Sequence, residues 1–255
     1  MALQTHLFPY GADNYGLLIH CEKKGITACV DAGDEEATNY ALRETGWKLS
    51  HIFITHHHSD HTAALSSLKK SHNAKVIGPF LDSAVSDLYD LRVDDNDDFM
   101  FGEHRVKVIA TPGHTLDMVN FYFTSEDFVC TGDTLFVLGC GRLFEGTAEQ
   151  MWKSLEKLLK LSDQTVIYCS HEYTIANAKF AMSVDPKNTA LRARSDAIQE
   201  LRDNNLPSIP SRIDLEKATN PFLRVGDSAI REHLGMRSAT NEEVFAELRK
   251  RKDNF

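Results

Sequence analysis

Five apolar runs in this chain end on an imidazole or a carboxylate, and that repetition constrains the fold more than any single segment does. "ACV" runs into Asp31 and "IFIT" into the stretch "THHHSDH" at 55–61. "VKVIATPG" ends at His114, "FVCTG" at Asp133 and "VIYCS" at His171. Short apolar runs bounded by turn residues read as strands. In layered α/β proteins the loops at one edge of the strands gather into a single site. Taken singly, Asp133 in "TGDT" reads as a cap or Asx turn and Asp31 before "AG" as a turn former. His114 after "TPG" reads as a turn residue, and His171 as a core histidine. Five such coincidences at five strand ends are a poor account of the set. Clustered ionisable groups resist burial unless they are paired or bound, so the pattern points to a metal site.

The donors are His56, His58, His61, His114, His171, Asp60 and Asp133, with the remaining histidine of the stretch, His57, not excluded by residue type alone. All offer nitrogen or oxygen. No cysteine joins them, which argues against a closed thiolate zinc site. Imidazole with carboxylate suits zinc, iron or manganese. Seven donors exceed what one tetrahedral ion uses and fit two ions sharing a carboxylate. Such a pair, about 3.5 Å apart, holds a water-derived hydroxide at neutral pH. The implied reaction class is hydrolysis.

The 255 residues suffice for one large domain or a mid-sized domain with an appendage. Strand-like runs ("GLLIH", "ITACV", "HIFIT", "AKVIG", "RVKVIA", "VNFYF", "DFVC", "TVIYC") alternate with helical patterns ("DEEATNYALRET", "HTAALSSLKK", "TAEQMWKSLEKLLKL"), which predicts an α/β layered domain. "GLLIH" and "ITACV" flank "CEKKG" as a hairpin. Beyond residue 171 only helices are expected, in "IANAKFAMSV", "NTALRARSDAIQELRDN" and "NEEVFAELRKRK", with "NNLPSIPSR" as a proline-punctuated connector. Leu191, Ile198 and Leu201 mark the apolar face of the second helix. The expected boundary therefore separates residues 1–171 from a helical domain at 172–255.

No run of 18 apolar residues exists, so no membrane span is expected. The N-terminus lacks the basic start and apolar core of a secretory leader, and the five scattered cysteines suit buried thiols in a reducing compartment. The expected location is the cytoplasm. A net charge of −9 argues against nucleic acid as a partner. "DDNDD" at 94–98 reads as a solvated acidic loop, whereas "LRKRK" at 248–252 has a rival reading below.

"THHHSDH" resembles the THxHxDH signature of the metallo-β-lactamase superfamily, with His114, Asp133 and His171 following in the expected order. "GDTLFVLGCGRLFEGT", "HEYTIANAKFA", "NPFLR" and "RKRKDNF" are similar to one family within it, glyoxalase II or hydroxyacylglutathione hydrolase, along essentially the whole chain. The resemblance implies a four-layered αββα domain followed by helices that complete the substrate pocket. It implies that His56, His58 and His114 hold one metal, that Asp60, His61 and His171 hold the other, and that Asp133 bridges them. His57 and Ser59 fall at variable positions of the signature.

The cofactors so implied are two divalent ions per chain, zinc foremost, with iron or manganese as alternatives. The implied substrate is S-D-lactoylglutathione, a small-molecule partner, and the chain is expected to act as a monomer. Glutathione contacts carry over to Arg142, Tyr173, Arg249 and Lys252, which gives the basic C-terminus its rival reading as a carboxylate clamp. Many relatives have Lys where Arg142 stands and Tyr where Phe144 stands. Arg can still grip a carboxylate bidentately, whereas Phe144 offers no hydroxyl. Asp60 and Asp133 are expected to orient the attacking hydroxide as well as ligate. A thiol pKa of about 8.5 lets the thiolate leave without a dedicated acid.

Overall fold

The computed structural model describes residues 3–255. These divide into two compact units, one reaching Ala110 and resuming over Thr115–Gly132, the other made of Thr111–His114 and Asp133–Phe255.

In the first unit, β1 (Gln4–Tyr10), β2 (Asn14–Cys21), β3 (Ile26–Val30), β4 (Leu49–Phe53), β5 (Lys75–Pro79) and β6 (Leu91–Val93) form one sheet in chain order. The first two pairings are antiparallel; from β3 onward the strands run parallel. Parallel neighbours need crossovers, and helices supply them. α1 (Glu35–Thr45) links β3 to β4, while α2 (Ser59–Thr62) and α3 (Leu65–His72) link β4 to β5. Asp34 starts α1 by accepting the Ala37 N–H at 2.9 Å, and Gly46 ends it in the left-handed conformation. β7 (Asp98–Phe101), β8 (His104–Ala110), β9 (Val119–Phe123) and β10 (Phe128–Gly132) follow as an antiparallel meander.

β4 shows why this unit is layered. Its Phe53 ring meets Phe99, Phe101 and Phe121 of the meander at centroid distances of 5.2, 5.6 and 5.3 Å. The flanking Ile52 and Ile54 belong instead to a core with Leu42 of α1 and Leu65 and Leu68 of α3. Alternate residues of one strand thus face a second sheet and a helical layer.

The second unit holds the two-residue pair β11 (Leu135–Phe136) and β12 (Gly139–Cys140), α4 (Ala148–Leu158), β13 (Val166–Cys169), α5 (Thr174–Val184), α6 (Thr189–Asp203), β14 (Ser211–Arg212), α7 (Ile213–Thr219), α8 (Ser228–Leu234) and α9 (Asn241–Asp253). Full capping boxes open α4 (Thr147 with Gln150) and α9 (Thr240 with Glu243). Phe180, Phe222, Phe245 and Trp152 form a buried aromatic chain at its centre.

Several expectations need correction. The segment 61–70 is two helices, because Ala64 N–H leaves the helical ladder and donates to the Ala32 carbonyl at 2.8 Å. A strand does occur beyond residue 171: β14 pairs antiparallel with β13. α7 and α8, seven residues each, were not expected at all. Leu191 and Ile198 are buried, but Leu201 is exposed, since it lies near the helix end. The acidic loop is solvated as expected, with Asp94, Asn96, Asp97 and Asp98 exposed, and Asp95 in addition accepts the Ala110 N–H at 2.9 Å. Among the described residues no helix is long and apolar enough to cross a membrane.

Candidate metal centre

In the first unit the donors follow β4 on one short loop. Its geometry is set by Asp31, which ends β3 with φ at +60° and is buried. The Asp31 carboxylate accepts the Thr55 N–H at 2.8 Å and the Thr55 hydroxyl at 3.0 Å. Its Oδ2 lies 2.7 Å from His61 Nδ1, with both side chains almost wholly buried. A carboxylate only accepts, so Nδ1 carries a proton, and in the neutral imidazole Nε2 is the acceptor nitrogen. The same reasoning reaches His56. Thr55 Oγ1 spends its single hydrogen on Asp31 and so accepts from His56 Nδ1 at 3.0 Å, which makes Nε2 the acceptor nitrogen of the neutral imidazole. That nitrogen lies 3.1 Å from His58 Nδ1. Asp60 is held by Asn14 Nδ2, 3.1 Å from its Oδ2, and by the Tyr10 hydroxyl on its carbonyl at 3.0 Å. Asp60 Oδ2 in turn stands 3.4 Å from His61 Nε2. His57 turns elsewhere, with Nδ1 3.0 Å from Asp117 Oδ1.

In the second unit, His114 Nδ1 donates to the Arg142 carbonyl at 2.8 Å, which makes Nε2 the acceptor nitrogen of the neutral imidazole. Asp133 presents one oxygen to each of two imidazoles. Its Oδ2 is 3.3 Å from His114 Nε2 and its Oδ1 3.4 Å from His171 Nε2. The Ser170 hydroxyl also donates to Oδ1. Gly141 is required beside it, since a Cβ there would meet the Asp133 carbonyl at 2.0 Å. Tyr173 covers His171 in a parallel stack, centroids 4.6 Å apart.

These spacings fit a metal. Donors bound to one tetrahedral ion at about 2.0–2.1 Å lie about 3.3–3.4 Å from one another. His61 with Asp60, His114 with Asp133 and His171 with Asp133 all stand at that separation. The histidines and aspartates form groups able to hold metal ions. Every one of the seven expected ligands falls in these groups, and His57 is with none of them. Asp31, Ser170 and Asn14 were not anticipated in these roles. Asp31 alone carried a signal, as a carboxylate at a strand end.

The expected substrate residues all lie in the second unit. Arg142 Nε stands 3.4 Å from Asp253, and Arg249 Nη2 lies 2.9 Å from the same residue. Arg249 is buried; its Nη1 donates to the Cys140 carbonyl at 2.9 Å, and its guanidinium lies over the Phe222 ring. Part of its donor set therefore serves the protein's own backbone. Burial, then the charges of Arg249 and Arg142, hold the Lys252 ammonium below the ordinary lysine range, against the opposing pull of Asp253. Phe144 is exposed, its ring edge-on to His114 at 5.2 Å. All five cysteines are free and buried. Burial pushes the Cys140 thiol up to about 11, which leaves it un-ionised at neutral pH.

The family model described as metallo-beta-lactamase superfamily matches residues 17–171, and that described as hydroxyacylglutathione hydrolase C-terminus matches residues 172–255. A hydroxyacylglutathione hydrolase of Rhizobium etli is 48% identical over 253 residues, covering 99% of each chain. One from Rhizobium meliloti is 49% identical over 254 residues, covering 100% of this chain and 99% of the relative. Among solved structures, ETHE1 from Myxococcus xanthus superposes with a TM-score of 0.69 at 25% identity, covering 98% of this chain and 90% of that one. TTHA1623 in a di-iron-bound form superposes at 0.60 with 22% identity, covering 85% and 98%. The fold is that of the metallo-β-lactamases with a helical C-terminal region, and the chain belongs to the hydroxyacylglutathione hydrolase family.

Proposed function

We propose that this protein is a hydroxyacylglutathione hydrolase cleaving S-D-lactoylglutathione to glutathione and D-lactate. The observation that carries the reading is Asp133, whose two carboxylate oxygens each face a different imidazole nitrogen at ligand spacing. We assign His56, His58 and His114 to one divalent ion, Asp60, His61 and His171 to a second, and Asp133 to both. Supporting this are the Nδ1 partners of His56, His61 and His114, which turn Nε2 of each neutral imidazole toward the ligand role. Zinc is the first expectation; the di-iron form of a structural neighbour keeps iron open. Two ions so bound supply Lewis acidity and a nucleophile drawn from water at neutral pH.

The chain's own residues do the remainder. Asp60 and Asp133 orient the attacking water by accepting its hydrogen, and Asn14 and Ser170 keep those carboxylates in place. Arg142 and Lys252 hold the glycyl carboxylate of glutathione, with Arg249 fixing the local backbone as well as adding charge. Tyr173 and Phe144 wall the thioester, and the former buttresses His171 through its stack. The leaving thiolate has an ordinary pKa of about 8.5, so no acid need be supplied. Residues 1–171 act as the catalytic domain and 172–255 as the substrate-binding domain of a cytoplasmic monomer. The test is hydrolysis of S-D-lactoylglutathione, followed by loss of thioester absorbance, with metal content measured on the same preparation. Turnover with close to two metals per chain is expected. One iron per chain with no hydrolysis would overturn the reading.

A further inference from the structure

The turn between β11 and β12 has four backbone polar groups over residues 136–139 engaged by side chains that follow it in the chain. Asn177 on α5 donates to the Val137 carbonyl at 3.1 Å. Asn220, just past α7, donates to the carbonyls of Phe136 at 3.2 Å and Gly139 at 3.0 Å. Glu216 on α7 accepts the Leu138 N–H at 2.9 Å. Leu138 sits at φ +58°, a conformation that strains a branched side chain. Gly139 approaches so closely that a Cβ would lie 2.4 Å from Asn177 Nδ2. Such an arrangement persists only where the surroundings over-determine it.

The clasp is itself braced. Glu216 is wholly buried; its second oxygen takes Arg194 and the Ser211 hydroxyl, each at 2.5 Å. Asn220 Nδ2 also reaches Glu216 at 3.0 Å, and its oxygen accepts the Phe222 N–H at 3.1 Å. "NPFLR", which begins at Asn220, is thereby given a task. The hairpin so held runs from Asp133 to Arg142. The first residue faces both His114 and His171; the second supplies the carbonyl that fixes the His114 tautomer.

We infer that Asn177, Glu216 and Asn220 are positioning residues for the metal centre: they clamp the 136–139 turn so that Asp133 and the Arg142 carbonyl keep their spacing to His114 and His171. This rests on the proposed thioester hydrolysis only for its kinetic consequence, because metal retention reads the positioning directly. Partners one layer out from a ligand typically account for about 10- to 100-fold in metal affinity or activity.

The experiment titrates the metal-loaded protein with a graded chelator and follows metal retained, kcat, KM and Tm for Asn220→Ala and Asn177→Ala. Thr147→Ala serves as control: it removes the α4 cap on the Gln150 N–H in the same unit and touches neither the turn nor α7. Asn220→Ala is expected to retain metal about tenfold more weakly and to lose kcat by a similar factor, with Asn177→Ala smaller in both. Thr147→Ala should lower Tm alone. If either turn variant folds with a lowered Tm but with unchanged metal retention and kcat, the clasp is structural only and the inference falls. Asn177→Ala, which removes a single bond, decides the matter if Asn220→Ala does not fold. Should the unaltered protein bind two metals without hydrolysing the thioester, the proposed function fails, while metal retention still judges the clasp.

Discussion

The two units hold their metal donors by different means. In the first, four donors lie within six residues of one another, and one carboxylate, Asp31, orders the loop through Thr55 and His61. In the second, His114, Asp133 and His171 come from three separated segments, fixed by a carbonyl, a hydroxyl and a turn clasped from residues about 80 positions away. Local order follows from adjacency in the chain. Order assembled at a distance needs every contributing element folded first, and each contact must offset the entropy of bringing it there.

The contrast can be broken most severely at a ligand. His56→Ala is expected to abolish thioester turnover while leaving the circular dichroism spectrum and the unfolding transition near those of the parent; full activity in a metal-analysed preparation would refute the assignment. Next comes the support of each set. Asp31→Asn should weaken metal retention by about 10- to 100-fold, because it disturbs Thr55, His56 and His61 together. Ser170→Ala removes a single donor from Asp133 and should cost less. Equal effects would erase the difference between one ordering residue and several.

Lys252→Ala should raise KM about tenfold, the loss of one charge-assisted contact, with kcat little changed. A pure kcat effect would contradict the clamp. Because burial and two guanidinium groups lower its pKa, Lys252 loses its proton at a lower pH than a free lysine. Carboxylate binding is therefore strongest below that lowered value and weakens as pH rises through it. KM should climb on the alkaline side in the parent and stay flat there in Lys252→Ala. Smallest of all, Thr147→Ala removes the α4 capping box and should cost about 1 kcal/mol, seen as a lower Tm with kinetics intact.

The same contrast explains what was legible in the sequence. "THHHSDH" could be read because its donors are contiguous and follow a strongly apolar strand. Long, periodic elements such as α1, α4 and β9 were equally plain. β1 was not, since "QTHLFPY" mixes exposed polar residues with a proline on an outer strand. β11, β12 and β14 have two residues each, and α7 and α8 seven, too few for any period to show. Asp31 stood out as a carboxylate at a strand end, yet its action on His61 depends on a backbone at φ +60° that no local pattern announces. Glu216 and Asn220 carried no sign of their work, because their partners lie 78 to 84 positions away.

The clasped turn also bears on how the protein breathes. Tight turns are ordinarily where solvent deuterium enters a native protein first, through small local openings. The Leu138 amide is sealed by a buried carboxylate that is itself tied to an arginine and a hydroxyl. Freeing it requires α7 to move as well, so this one loop amide should exchange on the slow timescale of the core helices. Its exchange rate is a label for the integrity of everything between Asp133 and Asn220.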